Sequence, residues 1–224
     1  MKKRSKVIKD LILGKIDVLQ AIQSLSFMIE DLDDNDDIKK WVESELNGYK
    51  DKNNVPKYRI IPTTLIGTVQ VGYAVYKNIN IPFSDSEAID LFSKEMVLSP
   101  LSNVIQLAKA ENENSNHALS MEVNTILVNH YQETNGDVIS ARRYLSLYAY
   151  NNILGSIKDK LLDIFKILEK NYGNLDEMYI DFSDDDKKEE TIKDINKVIY
   201  NDNSIHIGDG NKINESIVGD KNES

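Results

Sequence analysis

The sequence predicts an α+β protein. N-terminal helices pack on a small, mostly antiparallel sheet with further helices, and a linker and a small C-terminal β element follow. Three observations carry this. Apolar residues recur at three- and four-residue spacing from Val7 to Leu46 and again through Ala149–Asn171, which gives each helix one apolar face. Between them, Tyr58–Pro82 is rich in β-branched and aromatic side chains, the composition of a half-buried pleated surface. At about Leu175 the composition turns acidic, and a strand-forming tail punctuated by glycine closes the chain. The expected units are therefore residues 1–174 as an α+β domain, 175–200 as an acidic linker with a short amphipathic helix, and 201–224 as a hairpin-like oligomerisation tail.

The elements follow in order. Val7, Ile8, Leu11 and Ile12 form a short amphipathic helix that Gly14 stops. Asp17 starts the next, with Val18, Leu19, Ile22, Leu25, Met28 and Ile29 on its buried face. Beyond an acidic loop, Asp36 or Asp37 caps a third helix, because a carboxylate accepts the free amide protons of a first turn. Ile38, Trp41, Val42 and Leu46 make its apolar face, and Asn47-Gly48 ends it, since Gly takes the left-handed backbone of a C-terminal cap. A polar loop leads to Pro56. Tyr58–Thr68, Val69–Tyr76 and Ile79–Pro82 read as two or three short strands, with Gly67 and Gly72 at bends or bulges. Ser84 or Asp85 caps a helix through Glu87–Glu95. Ser99-Pro100 opens another, striped by Leu101, Val104, Ile105 and Ala108. Ala110–His117 reads as a polar loop. Met121–Tyr131 reads as a helix with Val123, Ile126, Leu127 and His130 on one side. A turn at Asn135-Gly136-Asp137 precedes a strand around Arg142–Leu147, and the helix Ala149–Asn171 ends at Gly173.

Composition narrows the function. At 224 residues the chain can bury one sizeable core. It has no Cys, which excludes disulfides, thiol nucleophiles and cysteine metal sites and suits a reducing cytosol, so a cytoplasmic location is expected. No run is apolar enough to cross a membrane, so no membrane partner is expected. Lys and Asp interrupt the apolar part of the N-terminus, which argues against a secretory leader. A net charge of −10 repels nucleic acid on average and disfavours it as a partner. The charge is uneven: Lys2, Lys3, Arg4, Lys6, Lys9 and Lys15 cluster at the start, and Glu30, Asp31, Asp33, Asp34, Asp36 and Asp37 form an acidic run. The simple reading is a solvated helix face and an acidic loop; the sharper one is a basic start that meets a phosphate or an acidic partner surface.

Few residues suggest chemistry. The chain lacks the sequence patterns of a phosphate loop, a dinucleotide turn, a zinc protease helix and a serine elbow. His117 and His130 have no companions at metal-ligating spacing, so no metal and no cofactor are expected. Arg142-Arg143 is a compact basic pair that strand alternation splits between two faces. The inward guanidinium needs a carboxylate, because an unpaired buried charge is costly. Glu45 is a candidate partner for it or for Arg59. A structural ion pair is the plain reading of these arginines and an anion site the sharper one.

The residues Trp41, Glu45, Leu46, Asn47, Gly48 and Tyr49, then Pro56, Tyr58 and Arg59, resemble the W…ELNGY…P.YR signature of the AbiTii family of bacterial abortive-infection (phage-defence) proteins. Ile81-Pro82 through Leu107 is similar to that family's "IP" followed by two short helices, and Gly155–Lys170 to its C-terminal helix. Lys158 stands where the family carries an Arg, which removes a bidentate fork. The resemblance covers roughly residues 1–172. It implies a role in defence against phage and no particular reaction.

Two functions are carried forward. One is an interaction module that self-associates through its tail and meets a phage or host protein. The other is an effector enzyme acting on nucleic acid or nucleotides, with Glu45, Arg59, Arg142 or Arg143 at its site. The tail motif resembles the short INIGDGN-type ends of bacterial defence and signalling proteins. It places Ile205, Ile207, Ile213 and Ile217 around a tight turn at Gly208 and Gly210. A lone hairpin is marginal in water, so the tail is expected to pair with copies of itself or to dock.

Overall fold

A computed structural model describes residues 4–32, 37–113 and 118–200. Among these, eight α-helices and five strands form the α+β fold expected, with every strand pairing antiparallel. The expected tail residues Ile205, Ile207, Gly208, Gly210, Ile213 and Ile217 lie outside the described residues, as do Asp36 and His117.

Six of the eight helices pack into the larger of two cores. α1 (Lys6–Ile12) ends where Gly14 turns left-handed at φ 67°. Asp17 caps α2 (Val18–Met28) through a capping box with Gln20, satisfying donors that a helix start leaves free. α3 (Asp37–Asn47) buries Ile38, Trp41, Val42 and Glu45. Leu46, expected on that face, is only half-buried. α7 (Tyr148–Tyr172) runs through the centre and buries Ile153, Ile157, Leu161, Ile164, Phe165 and Leu168 at helical spacing.

The sheet order is β2 (Ala74–Asn80), β1 (Ile60–Val71), β5 (Asp137–Ser146), β4 (Ala118–Glu122), with β3 (Lys94–Met96) paired to the start of β1. β1 (Ile60–Val71) is one continuous strand, and the hairpin turn to β2 (Ala74–Asn80) falls at Gly72, φ 59°. The expected break between Thr68 and Val69 is not an end. Bulges in both neighbours lie there. Lys77 and Asn78, the latter at φ 57°, together stand opposite Thr68, and Ile139 is left over in β5 (Asp137–Ser146). A bulge bends a strand without stopping it. At 12 residues β1 is about 40 Å long and outreaches the helix bundle. Its far half builds a second core, in which Leu65, Val69, Val138 and Ala141 meet Ala88 and Phe92 of α4 (Ser86–Phe92) and Val128 of α6 (Thr125–Tyr131).

Other expectations change with tertiary pairing. α4, capped by Asp85, stops at Phe92, and β3 (Lys94–Met96) then pairs with Ile60–Pro62. α5 (Leu101–Glu113) continues into the stretch expected as a loop. The start of the expected Met121–Tyr131 helix is β4 (Ala118–Glu122), because those residues pair with Arg142–Ser146 of β5. In α6 only Val128 is buried; Ile126, Leu127 and His130 face out. The segment 175–200, read from sequence as an acidic linker with a short amphipathic helix, carries α8 (Asp185–Tyr200), whose apolar stripe is covered by the rest of the fold. Leu175, Ile180, Ile195 and Ile199 are buried in the same core as the N-terminal helices.

Candidate functional site

The motif residues converge on one carboxylate. Trp41, Glu45 and Tyr49 lie four residues apart, so α3 and its cap set them in a row on one face. Gly48 makes the cap possible. Its φ is 91°, and a Cβ there would sit 2.8 Å from the Leu98 carbonyl oxygen and 3.2 Å from Pro100 Cδ. This close approach lets the Tyr49 amide donate to Leu98 O at 2.8 Å. From the other side, Pro56 starts a short 3-10 turn, Lys57–Arg59, where the sequence suggested a strand. A strand would send Tyr58 and Arg59 to opposite faces. The tighter turn buries both toward Glu45.

Glu45 accepts four donors: Tyr49 Oη at 2.6 Å, Tyr58 Oη at 2.7 Å, Arg59 Nε at 3.1 Å and Arg59 Nη2 at 2.6 Å. Oε1 takes three of these bonds and Oε2 the fourth, so both carboxylate oxygens are engaged by the chain itself. Arg59 spends its remaining arm on the chain itself, donating through Nη1 to Val97 O at 3.0 Å and Ser99 O at 2.8 Å. Trp41 Nε1 donates to Tyr58 Oη at 2.8 Å. The Tyr49 ring lies 5.0 Å from the guanidinium carbon. Both charged side chains are 0% exposed.

The electrostatics lock these roles. Burial, and then the Glu45 charge, push the Tyr49 and Tyr58 phenols far above their ordinary range, so both remain donors. Burial works against the charge on Arg59, but Glu45 outweighs it and holds the guanidinium protonated. The assembly can hold α3, the start of β1 and the loop before α5 in one geometry.

The other sequence candidates lie elsewhere. Arg143 faces inward beside Leu65, paired to Glu95 at 2.5 Å and donating to Leu91 O; Arg142 faces out, paired to Glu122 at 3.1 Å. Glu45 therefore serves Arg59, and the two arginines of β5 have carboxylates of their own. Asn47 is exposed at the end of α3, and Pro56 is half-buried. Among the described residues no group of three or more His, Asp or Glu is placed to hold a metal, and no helix is long and apolar enough to cross a membrane.

Beside the motif lies a cleft of about 410 Å³. It is lined by Asp37, Lys40, Trp41 and Ser44 of α3, by Tyr49 and Asn53–Pro56, and by Tyr200 at the end of α8. A hollow of about 240 Å³ adjoins it and shares Ser44, Tyr49 and Asn54. Sequence reasoning missed Lys160 of α7. Its ammonium donates to Val198 O at 2.7 Å and Ile199 O at 3.1 Å, and lies 5.4 Å from the centre of the Tyr58 ring. Nothing local marks it, since its partners are 38 and 39 residues away.

A family model described as AbiTii matches residues 5–195, which carries the likeness past residue 172 and into α8. No curated protein and no solved structure matches the chain.

Proposed function

The chain belongs to the AbiTii family, whose membership suggests abortive infection and phage defence, and from that premise we propose that it works as a self-associating binding or scaffold module. The supporting observation is the enclosure of Glu45 and Arg59. The charged pair that an enzyme reading would place at a site is 0% exposed, and both carboxylate oxygens already accept from the chain's own donors. Such a pair serves positioning: a buried carboxylate already holding four donors has little left to offer a substrate.

Self-association is assigned to residues 201–224, whose alternating isoleucines and Gly-Asp-Gly-Asn turn suit strand pairing between copies. The module acts in the cytoplasm, where its surface meets a phage or host protein. Light scattering tests the assembly. Both hydrophobic cores are built from residues 8 to 199, so a chain ending at Tyr200 retains them. Full-length protein is expected as a defined oligomer and the shortened chain as a monomer; equal masses would sink the reading. Phage-plating efficiency in cells carrying each form then shows whether assembly is needed for protection.

A further inference from the structure

We propose that the cleft beside Trp41 is the docking site for the first residues of the chain's own tail, 201–207. Tyr200, the last described residue, lines the cleft, so the chain leaves the described fold beside it. The exit is also pinned. Lys160 holds the carbonyls of Val198 and Ile199, the last turn of α8, while Thr191, Ile195 and Ile199 bury the helix against α7 and α3.

Length and chemistry fit the occupant. Seven extended residues reach about 23 Å. The cleft and the adjoining hollow share Ser44, Tyr49 and Asn54, so the two lie side by side along α3 and the loop after it. The cleft mixes two kinds of surface. Trp41, Tyr49, Val55 and Pro56 offer aromatic and apolar edges, while Ser44, Asn53 and Asn54 offer donors and acceptors for an extended backbone. The tail begins NDNSIHI: Ile205 and Ile207 alternate with polar neighbours, as an extended strand on a half-apolar floor requires.

Docking has a consequence that rests on the self-association reading. Ile205 and Ile207 cannot lie in the cleft and pair with other copies at once, so the docked tail is the unassembled form. Whatever draws the tail out of the cleft, a partner or a rise in concentration, releases strands for assembly.

The chain has no Cys, so introduced thiols are the only ones present. Asn54→Cys, at the exposed rim, is combined in the full-length chain with Asn203→Cys, Ser204→Cys, Ile205→Cys or His206→Cys in turn, and a short bis-maleimide is added. The control replaces Asn54→Cys by Lys197→Cys, exposed one turn before Tyr200 and outside both the cleft and the hollow, where a merely tethered tail would react as readily. The expected result is a cross-link within one chain for at least one tail position. It should form about tenfold or more faster than the control and at a rate unchanged by dilution, as a tethered segment at high effective concentration demands. Cross-linking no faster than the control at all four positions overturns the proposal. Products only between chains, slowing on dilution, overturn it in favour of another copy's tail. The comparison of masses with and without residues 201–224 judges assembly separately, so docking and assembly can fail independently.

Discussion

Replacing Glu45 with Ala is the sharpest test of the buried network. The change deletes an acceptor shared by four donors and leaves the Arg59 guanidinium, 0% exposed, with only the Val97 and Ser99 carbonyls. Removing one partner of a buried ion pair costs about 3–5 kcal/mol. For a chain of this size each kcal/mol lowers Tm by roughly 2–4 °C, so the expected drop is about 6–20 °C. Arg59→Ala should fall in the same range, because it strands the carboxylate with two tyrosine donors. The double variant Glu45→Met, Arg59→Met leaves no buried charge. Its cost should be well below the sum of the single losses, limited to the tyrosine hydroxyls at roughly 1–3 kcal/mol each. The assay is urea unfolding followed by far-UV circular dichroism and by emission of Trp41, which sits in the network. Single variants that each lose less than about 1 kcal/mol, or a double variant whose cost equals the sum, would refute the argument. A variant with unchanged Tm that no longer protects cells against phage would place the residue at a working site instead.

Two glycines should respond with opposite signs. Gly48→Ala forces a Cβ against Leu98 O in a left-handed backbone and should cost roughly 1–3 kcal/mol, whereas Gly155→Ala, inside α7 with nothing within 4 Å, should gain about 0.5–1 kcal/mol in the same unfolding assay. Burial pushes the Glu169 carboxyl up, but the Ser5 hydroxyl and amide and the Arg4 guanidinium outweigh it and hold it below its ordinary range. A depressed carboxyl adds stability above its unfolded value, near pH 4.3 for Glu, that is lost as pH falls through the folded value. The wild-type advantage over Glu169→Gln should thus be full at pH 7 and shrink below about pH 4 in unfolding curves taken across that range. Lys160→Met removes the clamp on Val198 and Ile199 and should cost about 1 kcal/mol. Hydrogen exchange should quicken in the last turn of α8 first; unchanged protection there would rule the clamp out.

Local chemistry made much of this protein legible in advance. Asp17 and Asp85 cap their helices because a side-chain carboxylate meets free amides within three residues. Gly14, Gly48 and Gly72 mark ends and a turn because only they take positive φ without cost. The apolar face of α7 follows from spacing alone. The pairing of Arg59 with Glu45 was also within reach, since an acid at the fourth position of the Ile38, Trp41, Val42 stripe must find a cation if it is buried.

Tertiary structure decided what depends on partners distant in the chain. β3 and β4 are strands because β1 and β5 offer them ladders, and three to five residues carry no such signal on their own. β1 runs through Thr68 and Val69 because bulges in its neighbours absorb the bend. Tyr58 joins Arg59 on one side because a 3-10 turn replaces the alternation of a strand. α8 belongs to the core because α7 and α3 cover a stripe too short to hold a helix alone, and the Lys160 clamp spans 38 residues of sequence. Spacing within a segment sets which face is apolar; only packing sets what that face meets.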